Sequence, residues 1–419
     1  MEILSKIILA IVSLPATLFV SGIMFVLCLI FGGGFKKAFR AAVLFSVGIT
    51  AINLIMGSCT TALSDIATGL SNRFNITLNV IDYGYALPGF VFVGAQAFVA
   101  LGLMIGLDLL FIYLGWTKTM WVDVHNSWHG MFFGSVAYIV TKNFWFALAV
   151  NMAVYLIMLK LADYTAKTYQ EENGTPSVAF LAPITTMAGV FAKLCMAVIN
   201  RIPGLRDLEA TPEDIQDRFG IFGEQSVMGM IIGTLLGLLA GYNVVDSLMA
   251  GVSIATTLAM FPKCASVVVE GIVQITTPII SFMKKKFNGK KDLYIAVDGA
   301  VLLGNPAVMS TYVLIIPVII VLYILIPGIG FIPIASLAAL PYIIGGIAPY
   351  CKSNVVHTFI VSVLFLVIAG FCATYAADIY TTSLASTGAI DGSFLVTGID
   401  EGGNILGVIV KLLCGLFAH

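Results

Sequence analysis

Long apolar runs, most of them broken by a glycine, a proline or a single charge, recur along the whole chain. Hydrophobic residues make up 59% of the 419 residues and charged residues 10%, against about 25% charged in an ordinary soluble domain. One spanning helix needs about 20 mainly apolar residues. The sequence therefore predicts an all-α polytopic membrane protein with about 10–12 membrane segments.

The remaining composition excludes several classes of function. The 21 basic and 22 acidic residues nearly cancel, so no net field attracts nucleic acid. The seven cysteines lack metal-ligand or redox spacing, which favours packing roles over metal or disulfide roles. No P-loop is present, so we expect no ATP site of that kind. No GxSxG motif indicates hydrolysis, and an intramembrane enzyme whose catalytic residues the sequence does not reveal stays an open alternative. The first run, residues 4–31, is too long for a signal-peptide core and predicts a retained span.

Polar side chains concentrate in the stretch WVDVHNSWHG, residues 121–130. On a helix, His125, Asn126 and His129 share roughly one face because they are spaced by three and four residues. An ionisable group at the bilayer centre costs roughly 2.5–3.5 kcal/mol, so we expect this face to line a hydrated cavity. The histidines are candidates for substrate contact, proton transfer or a structural hydrogen bond. A metal site is disfavoured because HNSWH lacks the glutamate of HExxH.

Two aspartates precede similar glycine- and proline-containing turns in the two halves of the chain. Asp82 comes before LPG at residues 87–89, and Asp298 comes before LLGNP at residues 302–306, which contains Asn305. Interrupted apolar segments of this kind are typical of re-entrant hairpins that meet at a binding cavity. These carboxylates and the amide are therefore candidates for lining a polar site, and capping of the hairpin helices is the structural alternative.

A second landmark supports a duplicated unit, because Asn126-x-x-His129 is echoed by Asn354-x-x-His357. His357 begins an apolar run, which favours a structural role over ligand contact. Gln96 is a candidate cavity amide, and Glu224 either caps a helix or faces the site.

Charge placement predicts that the two units are inverted. Residues 32–40 carry three basic residues, whereas the equivalent turn, residues 241–246, has none. Residues 284–291 carry five basic residues, whereas the equivalent loop of the first half has only Arg73. The positive-inside rule then places equivalent loops on opposite faces of the membrane, as in an inverted-topology repeat. Residues 32–40, 163–222 and 284–291 are predicted to be cytoplasmic.

These patterns divide the chain into four predicted parts. They are a first membrane repeat, a cytoplasmic connection, a second and inverted membrane repeat, and a C-terminal loop and helix, at residues 1–162, 163–222, 223–387 and 388–419.

Six motifs, taken in order, resemble the membrane-embedded IIC component of the galactitol-type bacterial phosphotransferase system. They are VIDYGYALPG (80–89), VDVHNSWHG (122–130), EDIQDRFGIFGE (213–224), LLAGYNV (238–244), DGAVLLGNPAV (298–308) and IDEGGN (399–404). The resemblance covers nearly the whole chain. It implies a multi-pass permease of the bacterial inner membrane that takes up a polyol, most similar to galactitol.

The resemblance also implies partners and a mode of motion. The polyol is handed to a separate soluble IIB subunit that carries phosphate on a cysteine, which receives it from IIA, HPr and enzyme I. The permease itself is then no enzyme, with neither cofactor nor metal. Similarity to ascorbate-type IIC carriers implies a homodimer of inverted repeats in which a core moves against a scaffold, as in an elevator. A proton- or sodium-coupled polyol symporter without phosphotransfer is the alternative.

By the same resemblance, the predicted substrate site takes its members from the motif positions. These are Asp82, His125, Asn126, His129, Asp298 and Asn305. The arguments from the residues themselves add Gln96, Glu224 and His357.

Overall fold

A computed structural model describes most of the chain as helix. The described residues are 16–73, 79–91, 95–121, 127–211, 225–286, 293–297, 299–333, 335–388 and 390–417. The first half contains α1 (Ala16–Ile30), α2 (Phe35–Arg73), β1 (Val80–Asp82), the 3₁₀ helix η1 (Gly84–Phe90), α3 (Ala95–Leu114), β2 (Thr119–Trp121), α4 (Ser127–Thr141), α5 (Phe144–Asn173), β3 (Val178–Phe180) and α6 (Pro183–Ile199).

The second half begins with the same kinds of element in the same order. It contains α7 (Gln225–Leu239), α8 (Val244–Lys286), β4 (Tyr294–Val297), η2 (Gly299–Gly304), α9 (Pro306–Leu325), η3 (Ala335–Ala339), α10 (Leu340–Ile347), η4 (Ala348–Cys351), α11 (Val355–Tyr375), α12 (Ala377–Ala385), β5 (Leu395–Thr397) and α13 (Ile405–Phe417).

The helices fit a membrane protein in length and composition. Within the described ranges, α5, α9 and α11 are long and apolar enough to cross a bilayer. The prediction of a mostly helical membrane protein is thus confirmed, whereas the number of spans stays a prediction. Short strands of three or four residues also occur among the described residues, because backbone groups outside the helices must pair where water is excluded.

Asparagine side chains cap several of these helices. The side chains of Asn143, Asn305 and Asn354 accept backbone N–H groups from the first turns of α5, α9 and α11. Each cap satisfies donors that the helix itself leaves unpaired. At the other end of α5, Gly174 has the left-handed backbone, φ 61°, that favours glycine.

The strands join the two halves of the chain. β1 pairs in parallel with β5, so that Asp82 lies opposite Thr397. β4 pairs in parallel with both β2 and β3. On the side of β1 that faces away from β5, the backbone N–H of Val80 donates to the carbonyl oxygen of Gly330 at 3.1 Å. β1 and β4 are therefore each flanked on both sides by segments of the other half.

The two longest helices, α2 and α8, run antiparallel to each other. Arg40, near the start of α2, forms an ion pair with Glu270, far along α8. Arg73, the last residue of α2, donates to the carbonyl oxygens of Leu238 and Leu239, at the end of the helix before α8. The basic start of α2 and the basic end of α8 therefore lie at the same end of the helix pair.

The C-terminal segment packs against the first half. Phe132 of α4 contacts Tyr380 of α12, with ring centroids 5.6 Å apart, and both rings are fully buried. Gly407 lets α13 approach this tyrosine closely, because an added Cβ would overlap the hydroxyl group of Tyr380. Helix α13, which lies in the region predicted as a C-terminal loop and helix, is thus packed against the rest of the structure.

The predicted connection, residues 163–222, also starts inside a helix. α5 runs without a break through residue 163, and α6 buries one face, including Thr185. Residues 178–199 therefore belong to the helical body, and the cytoplasmic placement of the connection stays a prediction.

The close contact between α6 and α10 provides a test of this packing. In a Gly346→Ala variant, the added Cβ would overlap the backbone carbonyl of Thr185, so we expect a loss of about 1–3 kcal/mol of stability. Thermal unfolding of the purified protein in detergent measures it. Gly415→Ala is the matched control, since its added Cβ meets no atom within 4 Å. Equal melting temperatures for both variants would contradict this packing.

Candidate functional site

A buried polar cluster forms where the start of α4 meets the turn before α13. His129 pairs through Nδ1 with a carboxylate oxygen of Glu401. The exposed fraction is 7% for His129 and 1% for Glu401. The imidazole ring also stacks on Trp128, with centroids 3.7 Å apart. An acid and an imidazole thus share one hydrogen bond in surroundings from which water is largely excluded.

The neighbours of Glu401 extend this cluster. Asp400 is 6% exposed and Asn404 is 1% exposed, so both polar side chains are buried beside Glu401 in the chain. Asn404 caps α13, because its Oδ1 accepts the backbone N–H of Leu406 at 3.0 Å. Asp400 Oδ2, Glu401 Oε2 and Asn404 Nδ2 are buried without a hydrogen-bond partner among the described residues.

Two glycines fix the shape of the turn that carries these groups. A Cβ at Gly402 would overlap the carbonyl oxygen of Gly398, and a Cβ at Gly403 would overlap that of Ile399. Gly403 donates its backbone N–H to Ile399 at 2.9 Å. Only glycine fits at both positions, so the sequence EGGN holds Glu401 and Asn404 in a rigid arrangement.

Asp82 is held next to this turn by three hydrogen bonds. Its carboxylate accepts the backbone N–H of Gly84 at 3.1 Å, and both the N–H and the hydroxyl group of Ser336 at 2.7 and 2.6 Å. The Ser336 hydroxyl in turn accepts the N–H of Ile399 at 2.8 Å. These contacts agree with the structural alternative, in which the Asp82 carboxylate holds backbone groups in place. A contact between Asp82 and the substrate stays a prediction.

Gln96 lies in a separate buried network. Its Oε1 accepts from Asn151 at 3.0 Å, and its Nε2 donates to Ser135 at 3.1 Å. Ser135 donates to the carbonyl oxygen of Val91 at 2.7 Å. The amide therefore ties α3 to α4 and α5, as expected of a helix-packing residue.

Asn305 lies at another end of the structure. Its Nδ2 donates to Ser353 at 2.8 Å and to Asn173 at 3.3 Å. Met158 of α5 packs near Gly130, the neighbour of His129. The helix from Met158 to Asn173 spans about 22 Å at roughly 1.5 Å per residue. The described contacts therefore do not bring Asn305 together with His129.

His357 docks the segment that follows α6. Its Nε2 is 2.9 Å from the carbonyl oxygen of Leu205, and Asn354 Nδ2 donates to Leu208 at 3.0 Å. Val355 donates its N–H to Ala210 at 2.8 Å. These contacts agree with the structural interpretation of His357.

The Asn-x-x-His landmark of the predicted repeat stays a prediction, because Asn126 lies outside the described residues. Asn354 caps α11 two residues after the left-handed Lys352, and Asn143 caps α5 directly after the left-handed Lys142. The local setting of Asn354 thus resembles that of Asn143, whereas His129 lies on the preceding helix, α4.

Four predicted site residues lie outside the described residues. They are His125, Asn126, Glu224 and Asp298. Among the residues that are described, no group of three or more His, Cys, Asp or Glu side chains is arranged to hold a metal ion.

A family model and curated proteins match this chain over most of its length. The family described as "PTS system sugar-specific permease component" matches residues 10–391. The chain belongs to this family. The permease is 26% identical over 403 residues to the galactitol-specific EIIC component of Escherichia coli K12, which covers 96% of this chain and 89% of that protein. It is 27% identical over 389 residues to a putative permease IIC component of the same strain, covering 93% and 88%. The resemblance drawn from the motifs is thus confirmed.

Sequence reasoning did not place Asp400, Glu401 or Asn404 in the site of this permease. Their motif, IDEGGN, was noticed only as part of the family resemblance. The signal was available in the sequence, because two consecutive acids between apolar segments are costly unless they are paired or functional. Their proximity to His129, more than 270 residues away, depends on the packing of α13 against α4.

Ser336 provides a test of how Asp82 and the turn are held. In a Ser336→Ala variant, Asp82 loses one donor and the N–H of Ile399 loses its acceptor, so we expect a loss of about 1–3 kcal/mol of stability. The melting temperature of the purified permease in detergent measures it. Ser266→Ala is the control, because the Ser266 hydroxyl is exposed and donates only within its own helix. Equal melting temperatures for Ser336→Ala and the control would contradict a stabilising role of the Ser336 bridge between Asp82 and Ile399.

Proposed function

We propose that the chain is the IIC permease subunit that translocates a sugar alcohol, galactitol or a close relative, for phosphorylation by a separate IIB subunit. The observation that carries this proposal is the similarity over 96% of the chain to a galactitol-specific component. The permease provides the path across the membrane, and the phosphocysteine belongs to IIB. Phosphorylation of the delivered polyol makes uptake irreversible.

The buried cluster around His129 supports a polyol as the transported molecule. Hydroxyl groups donate to carboxylates, and they both donate to and accept from imidazole and amide groups, which are the groups gathered here. We assign His129 a direct substrate contact, with His125, Asn126 and Asp298 as further proposed members of the same site. Asp82 is proposed to order the site through Ser336, and Gln96, Asn305 and His357 are assigned structural roles by their contacts.

An inverted repeat accounts for the order and pairing of the elements. The first strand of each half, β1 or β4, follows two helices and precedes a 3₁₀ helix and a long helix. The equivalent helices α2 and α8 are antiparallel, which supports opposite orientations in the membrane. The 3₁₀ helices η1 and η2 are proposed as the tips of the two re-entrant hairpins.

The proposed elevator divides the helices into two groups. The helices α1, α2, α7 and α8 are the proposed scaffold, because they pack on one another, as at Gly69 against Ala240 and Gly33 against Pro278. The remaining helices, with both sheets and the cluster around His129, are the proposed moving core. The homodimer is proposed from the similarity to ascorbate-type carriers alone.

Uptake with and without IIB tests the proposed function. Cells that express the permease together with IIB should accumulate labelled galactitol as its phosphate, whereas cells without IIB should not accumulate it. Unchanged accumulation without IIB would reject coupling to phosphate. Uptake that needs no IIB and collapses on addition of an uncoupler would instead establish an ion-coupled symporter.

Labelling of single cysteines tests the inverted orientation. In a background without the native cysteines, Lys37→Cys at the start of α2 should react with a membrane-impermeant maleimide only from the cytoplasmic side. Val245→Cys at the start of α8, where the native side chain is 68% exposed, should react only from outside. Both positions reacting from the same side would contradict the inverted repeat.

A further inference from the structure

We propose that the IDEGGN turn, residues 399–404, is a hydroxyl-binding wall of the substrate site, with Asp400 and Glu401 as acceptors and Asn404 as a donor. The inference rests on the proposed polyol transport. It adds three contact residues to His129 and states that the site selects a neutral polyol over an anionic sugar.

The first support is the pairing of Glu401. One of its oxygens is bonded to His129 Nδ1, which places the turn at the predicted site. The other oxygen is buried and unbonded within the described part of the chain. A carboxylate oxygen without a donor in such surroundings is costly, so its other partner is expected to come from a ligand.

The second support is the contrast with the other buried acids. Asp108 accepts from the N–H of Trp121 at 2.9 Å and from the hydroxyl group of Tyr155 at 3.2 Å. Asp82 accepts three hydrogen bonds. Among the described residues, buried carboxylate oxygens without a partner occur only on Asp400 and Glu401. The fold thus satisfies its structural acids and leaves these two with free acceptors.

The third support is the mixture of groups. Asn404 Nδ2 is a buried donor without a partner in the described chain, only a few residues from the two free acceptors. Each hydroxyl group of a sugar alcohol donates one hydrogen bond and accepts others. Adjacent hydroxyl groups can therefore donate to the carboxylates while one of them accepts from the amide. A ligand with only acceptors would leave the carboxylates unpaired.

Charge makes the wall selective. Glu401 is paired with one imidazole, His129, and no ion pair between a lysine or arginine and the turn is found among the described residues. A substrate carboxylate would bring a further charge into a buried site without a basic partner to compensate it, which is costly. A neutral polyol avoids this cost.

The turn is also built to hold a fixed geometry. Gly402 and Gly403 allow its tight backbone, Asn404 Oδ1 is committed to capping α13, and Ser336 ties Ile399 to Asp82. Groups that are ordered before the ligand arrives lose less entropy on binding. The unpaired atoms are therefore presented on a rigid support.

Conservative variants test the three contacts. Glu401→Gln and Asp400→Asn keep the shape but weaken an acceptor, and Asn404→Asp keeps the cap but removes the donor. Each should raise the KM of IIB-dependent galactitol uptake about tenfold or more, with a smaller change in the maximal rate. Galactitol should also raise the melting temperature of the purified wild-type permease, and each variant should lose most of this shift.

Matched controls lie in exposed parts of the chain. Asp391→Asn changes an exposed acid on the segment that leads to the same turn, where hydrogen bonds from Ser393 hold the pKa of Asp391 below its usual range. Glu171→Gln changes an exposed glutamate on α5. Both should keep the wild-type KM and the wild-type shift in melting temperature.

A charged analogue of galactitol provides an independent test of the proposed selectivity. Galactonate, in which a carboxylate replaces a terminal hydroxymethyl group, should neither compete with galactitol uptake by the wild type nor raise its melting temperature. Competition by galactonate equal to that by galactitol would overturn the selectivity.

The remaining outcomes separate the wall from the proposed function. If Glu401→Gln, Asp400→Asn and Asn404→Asp all fold and keep the wild-type KM and the wild-type shift in melting temperature, the proposed hydroxyl-binding wall is wrong, while polyol transport stands. If one variant does not fold, the other two decide. A wild-type permease that neither takes up nor is stabilised by any sugar alcohol would reject the proposed function itself, and the wall with it.

Discussion

The pairing of β1 with β5 is the interaction on which the candidate site depends. An apolar chain that leaves the helical conformation must satisfy its backbone groups within the protein, because lipid offers them no partner. The parallel pairing does this for residues 80–82 and 395–397. The pairing also fixes the backbone near Asp82 and near Ile399, the two residues that Ser336 connects. It thereby positions the turn that contains Glu401.

The same requirement explains why each half supplies strands to the other. A three-residue strand is too short to be stable alone, and its neighbours in sequence continue as helices. Partners must then come from segments that the fold brings in from elsewhere, as β2 and β3 do for β4. The exchange joins the two halves through both sheets and leaves the polar turn before α13 in contact with α4.

Prediction succeeded where the signal was local. Apolar runs indicated the helical class and the family motifs indicated the permease, whereas the pattern Asn354-x-x-His357 did not by itself reveal that Asn354 caps a helix. Gln96 is a candidate as an amide within an apolar run, and Asn305 as the amide of an interrupted segment and of a family motif. Such a position alone does not separate a ligand contact from an interhelical hydrogen bond such as Gln96 with Asn151.

The sequence by itself determined that the chain is a helical membrane protein of the sugar-specific permease family, because apolar length, charge placement and motif order are all read along the chain. Only the tertiary structure decided that His129 is bonded to Glu401 and that Asp82 holds Ser336. These contacts join residues separated by much of the chain, and the packing that makes them depends on side-chain shapes across several helices at once.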